Sequence, residues 1–148
     1  MRRTWFFLTA AVFSILVVVQ ASRVDAQQPA PVHITRLYTG ADGLSHFEQA
    51  DVPMQDRREL GMESPHLQMA ESFIVRLQPG FFENWHNADA RRYVVPISGK
   101  AEIEVSGGGK FTVEPGQICL AEDLTGKGHT FRVVGDQQWV GLFVNFAK

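Results

Sequence analysis

The side chains of this 148-residue chain that can do chemistry are few: five histidines, one cysteine, the pair Arg91-Arg92 and the pair Glu122-Asp123. Imidazole changes charge near neutral pH and serves as proton carrier or metal ligand, while guanidinium is a permanent cation that grips carboxylates bidentately. Two histidines and one carboxylate suffice for a catalytic divalent metal. The set on offer is His86 and His129 with Glu122 or Asp123. A second chemistry needs no metal: Arg92 binds the carboxylate or enolate of a small acid while His86 or His129 moves a proton. Cys119, between Ile118 and Leu120 with no His or Lys beside it, reads as a buried small apolar residue. Neither a Ser/His/Asp arrangement nor an H-E-x-x-H signature is present, which argues against a hydrolase.

The elements that must position these groups read as strands. Runs of β type are expected at 72–77, 81–86, 93–97, 101–105, 110–113, 118–121, 129–134 and 139–143, with glycine-containing turns between them. Short strands at this spacing predict an all-β sandwich or barrel. Strand alternation puts His86, Asn84 and Phe82 on one face and Glu83 and Trp85 on the other, so long as no bulge intervenes; inward is the His86 face if that residue is a site residue. It also sends Arg91 and Arg92 opposite ways. Phe81, Phe82 and Trp85 read as core and pocket wall. Gly107-Gly108-Gly109 is a hairpin loop rather than a phosphate cradle, because no helix follows it. Towards the N-terminus, 27–31 reads as a disordered leader and 32–38 as an edge strand. Residues 39–65 read as loop, with a short helical turn around 55–60, able to act as a lid or as the arm of a homodimer.

Residues 1–26 are a separate matter. Met1-Arg2-Arg3 is followed by fifteen residues without charge, Trp5 to Val19, and then by a polar run. This is the pattern of a secretory signal peptide cleaved after Ala26, although Val19-Gln20-Ala21 is a second acceptable site and Arg2-Arg3 loosely matches a twin-arginine signal. The apolar stretch is short for a permanent anchor, so no stable membrane span is expected after cleavage. The mature chain would keep 122 residues with 11 basic and 15 acidic side chains, enough for one core. No basic run offers a face for nucleic acid, and a single cysteine excludes an internal disulfide. The expected layout is a signal peptide at 1–26, a leader with edge strand and loop at 27–66, and one β domain at 67–148.

Two spaced patterns carry a resemblance. Gly80, His86, Ala88, Arg92 and Gly99 stand at the spacings of G-x5-H-x-H-x3-E-x6-G, and Gly126 with His129 matches the later part of G-x5-P-x-G-x2-H-x3-N, preceded by the turn glycine of Glu114-Pro115-Gly116. Over residues 70–145 the chain resembles the cupin superfamily, and 121–129 resembles a group of small bacterial cupins without a settled activity. The resemblance implies an antiparallel jelly-roll β-barrel with His86 and His129 meeting inside it. Metal-binding cupins hold Mn, Fe, Ni or Zn through three histidines and a glutamate, and here Ala88 and Arg92 replace two of those four. His33, His46 and His66 lie in no motif and read as ordinary strand and loop residues.

Three readings of the cavity follow. One is a non-standard metal site of His86, His129 and Glu122 or Asp123. Another is a metal-free site in which Asn84, Arg92 and Asp123 bind the ligand and His86, His129 and Arg92 act on it. In the last, the protein is a binder or interaction protein without catalysis. The expectation is an exported cupin that binds a small organic, anionic molecule and, if an enzyme, is an isomerase, lyase or oxygenase.

Overall fold

A computed structural model of the chain describes residues 30–148; the expected export signal at 1–26 lies outside them. Twelve strands follow in chain order: β1 (His33–Thr39), β2 (Ser45–Asp51), β3 (Gln55–Asp56), β4 (Met62–Glu63), β5 (Met69–Leu77), β6 (Phe82–His86), β7 (Arg92–Ser98), β8 (Lys100–Val105), β9 (Lys110–Val113), β10 (Cys119–Glu122), β11 (His129–Val134) and β12 (Trp139–Phe146). The helical turn expected near 55–60 is a single 3-10 turn at Arg58–Leu60. None of the helical segments among the described residues is long and apolar enough to cross a membrane.

The strands form a six-stranded sheet in the order β2-β1-β10-β7-β12-β5, a four-stranded sheet in the order β6-β11-β8-β9, and the small β3-β4 ribbon. All pairings are antiparallel except β1 with β10, which run parallel. The fold is therefore all-β, as expected, but the ladders do not close into a barrel: the large sheets stay separate, each with two edges. The N-terminal strand differs from expectation too. It lies inside the six-stranded sheet between β10 and β2, and β2 occupies part of the stretch read as loop. The sequence 45–51, Ser-His-Phe-Glu-Gln-Ala-Asp, lacks a sustained apolar alternation, so only pairing with β1 along all seven residues makes it a strand.

The core fills the space between the two large sheets. Leu37, Val94, Cys119, Ala121 and Trp139 come from one, and Ala101, Ile103, Val105, Val113, Phe131 and Val133 from the other. Trp139 ties them together: it is fully buried, packs edge-on against Phe131 at 5.1 Å, and its indole N–H donates to the Val113 carbonyl at 3.2 Å. Burying an indole of that size is worth about 5 kcal/mol. Gly141 makes room for the ring, since a Cβ there would lie 2.2 Å from it. Along β10 the residues alternate: Cys119 and Ala121 enter this core, whereas Leu120 packs on the outer face with Ile34 and Phe146.

Candidate functional site

A cavity of about 300 Å³ opens between the sheets. Its floor is apolar, with Leu37, Val75, Leu77, Val94, Ile103 and Phe131, and its polar side groups are Glu83, His86, Asn87, Asp89, Arg92 and His129. The combination suits a small organic ligand with an apolar body and a few polar anchors.

His86 ends β6 and His129 begins β11, and the two are cross-strand partners. Their ring centroids are 4.4 Å apart with planes at 53°. Gly128 allows this approach: its φ is +78°, and a Cβ at that position would lie 2.0 Å from the His86 carbonyl oxygen. The loop after His86 is tied to the one before His129, because Ala88 N–H donates to the Asp123 carbonyl and the Asn87 amide donates to the Thr125 carbonyl.

Pairing between β6 and β11 is irregular. His129 faces His86 and Phe131 faces Glu83, so three steps on β6 match two on β11. The bulge falls at Asn84 and Trp85, where Asn84 Oδ1 accepts the Trp85 N–H at 2.9 Å and the Asn84 carbonyl accepts from His86 Nδ1 at 2.7 Å. An extra residue in one strand reverses the facing of what precedes it. Glu83 therefore lines the cavity with His86, its Oε2 3.5 Å from His86 Nε2. This corrects the expectation for Asn84, which does not line the cavity, and for Phe82, whose ring lies under the Arg132 guanidinium. Trp85 sits beneath the Lys127 ammonium, and Phe81, Phe82 and Trp85 are all exposed rather than core. Glu83 is the residue the sequence reading missed, and no local signal marks the bulge that turns it inward.

Arg91 and Arg92 diverge. Arg92 lines the cavity, buried, with its guanidinium 5.4 Å from the Phe143 ring centroid and 3.4 Å from Asp89. Arg91 is on the other face, paired with Glu122 and lying over Phe146. Glu122 accepts from Arg36 as well, at 2.6 Å. Burial pushes the Glu122 carboxyl up, but the hydrogen bonds from Arg36 and Arg91 outweigh it and hold the group below its ordinary value. Alternation along β10 thus keeps Glu122 out of the cavity, and it cannot join His86 and His129 as a metal ligand.

Asp123 does not reach the ligand space either. It is fully buried behind His129, with Oδ2 2.6 Å from His129 Nδ1 and accepting from Ser45 Oγ at 2.8 Å. Its role is to orient the imidazole, as a carboxylate behind a histidine does. Oδ1 of Asp123 is buried without a hydrogen-bond partner among the described residues. Cys119 also lines the cavity, and burial, aided by the Asp123 charge, pushes its thiol up to about 12.

The donor set does not fit a cupin metal centre. Ala88 offers no donor atom, Arg92 puts a cation where an anion is needed, and Glu122 and Asp123 are engaged elsewhere. Among the described residues no three His, Cys, Asp or Glu side chains are arranged to hold a metal ion. The remaining histidines are surface groups beside acids: His33 with Asp51, His46 with Asp42 and His66 with Glu63.

No family model matches the chain, and no curated protein matches it. Among solved structures it is similar to the crystal structure of protein NMB1881 from Neisseria meningitidis, with 13% identity, a TM-score of 0.42, and coverage of 55% of this chain and 82% of that one.

Proposed function

We propose that this chain is an exported, cupin-type jelly-roll protein whose cavity binds a small organic acid, and that it acts on that acid as an isomerase or lyase without a metal. The observation that carries the reading is the presence of Arg92 and the His86–His129 pair on the walls of one apolar-floored cavity. A buried guanidinium favours an anion there, because among the described residues its one carboxylate partner is an exposed Asp89 at 3.4 Å, its Nε donating to the Ala90 carbonyl, and a ligand carboxylate would meet the remaining N–H groups. The apolar floor takes the body of the acid, and the imidazoles supply proton transfer to the atoms next to the carboxylate. Export rests on the residue pattern of 1–26; N-terminal sequencing of the secreted or periplasmic protein should begin at or near Gln27.

Calorimetric titration of aromatic and aliphatic carboxylates tests the binding. At least one should bind wild type, and Arg92→Ala should weaken it about 10- to 100-fold, the worth of a charge-assisted hydrogen-bonded pair. Equal affinities in the two proteins, or no binding by any of the acids, would rule the reading out.

A further inference from the structure

The hydrogen-bond partners of the two imidazoles differ in kind. In His86, Nδ1 lies 2.7 Å from the Asn84 carbonyl, a group that only accepts, so Nδ1 carries a hydrogen. Its Nε2 lies 3.5 Å from the Glu83 carboxylate, a second acceptor. Nδ1 of His86 is thus held by a carbonyl, and Nε2 is the nitrogen left to deliver a proton, with the Glu83 carboxylate beside it. In His129, Nδ1 lies 2.6 Å from Asp123 Oδ2, which also accepts from Ser45, so Nδ1 carries the hydrogen here too. The Nε2 of His129 has no hydrogen-bond partner among the described residues; it points away from the buried carboxylate, on a ring that lines the cavity. In the neutral ring the lone pair of that nitrogen is free.

We infer that His86 is the proton donor and His129 the proton acceptor of a keto–enol reaction on a 2-oxo acid, with Glu83 positioning His86 and Asp123 positioning His129. This assignment rests on the reading that Arg92 holds a carboxylate in the cavity. His129 Nε2 takes a proton from the carbon next to the ketone. The C–H electron pair becomes the C=C bond, the carbonyl π pair moves onto oxygen, and that oxygen takes the proton of His86 Nε2. The product is the enol, with His129 cationic against Asp123 and His86 neutral. Reversal restores the starting states, and no oxidant or further reactant is consumed. Ring centroids 4.4 Å apart suit a donor and an acceptor that serve neighbouring substrate atoms.

Hydrogen–deuterium exchange at the carbon next to the ketone of phenylpyruvate and pyruvate in D2O, followed by proton NMR, tests this. Wild type should accelerate exchange, and His129→Gln or His86→Gln should slow it about 100-fold or more, the usual worth of general acid–base catalysis. Glu83→Gln should lower the saturated exchange rate about 10-fold while leaving the calorimetric affinity for phenylpyruvate unchanged, a split that loss of folding would not produce. In wild type alone, long-range proton–nitrogen spectra should find neutral His129 protonated at Nδ1 and bare at Nε2. Failure to accelerate exchange of either acid, or a hydrogen on Nε2 of neutral His129, would overturn the inference. Arg92-dependent binding of acids in the same samples would then leave the proposed binding function standing, whereas its absence would remove both.

Discussion

His129 is held from behind by Asp123, whose Oδ2 lies 2.6 Å from the imidazole Nδ1 in surroundings where neither residue meets much solvent. The same oxygen receives Ser45 Oγ–H from β2, a strand far away in the sequence. One carboxylate thus fixes the ring of the candidate base and fastens the N-terminal hairpin to the site.

Removing that carboxylate should be costly. Asp123→Ala leaves the Ser45 hydroxyl and the His129 N–H buried without their acceptor, and breaking a buried polar pair of this kind costs about 3 kcal/mol. Ser45→Ala removes a single neutral-to-charged hydrogen bond and should cost about 2 kcal/mol. Urea denaturation of both variants checks the ranking, and equal losses would show that Ser45 and Asp123 do not stand in this order.

Gly128 sets the distance between the two imidazoles, so Gly128→Ala should disturb the site as well as the fold. The added Cβ meets backbone at 2.0 Å, and the residue would be forced to hold φ near +78°. A cost of at least about 2 kcal/mol is expected. Gly116→Ala is the matched comparison: its φ is +92°, but open space surrounds it, leaving only the left-handed penalty of about 1 kcal/mol. Thermal denaturation of the pair should therefore put Gly128→Ala clearly below Gly116→Ala.

Glu122 gives a pH dependence of known sign. Its carboxyl is held below the ordinary value when folded by Arg36 and Arg91, against the upward push of burial. The stabilisation is fully present above the ordinary glutamate range, about 4.3, and is lost as pH falls through the lower folded value. The stability difference between wild type and Glu122→Gln should be constant from pH 6 to 8 and shrink below about pH 4.5. Titrations of small acids into Glu122→Gln should match wild type, since the group lies outside the cavity.

Much of the strand content was legible in the residues. The strands β9 and β11 fall where the short β-type runs and the glycine turns around them put them, and Arg91 and Arg92 part to opposite faces as alternation requires. These are local effects, decided between neighbours along the chain by side-chain geometry and glycine's access to positive φ. That His86 and His129 meet was implied by the motif resemblance, and the pairing of β6 with β11 is what brings them together.

Tertiary structure decided the rest. Asn84 was expected inward and Glu83 outward, and the register of β6 against β11 reversed both, because three residues span what two span opposite and the surplus turns the strand over. That mismatch exists only when both strands are present. Ser45 likewise has no signal of its own: a polar residue in a polar run, it acquires a buried partner only because β2 lies beside β1 and β1 beside β10, near Asp123. Alternation determined which side chains of one strand share a face; which face met the cavity depended on a register across a bulge, and the buried hydroxyl that holds Asp123 came from Ser45, 78 positions away, where no local preference reaches.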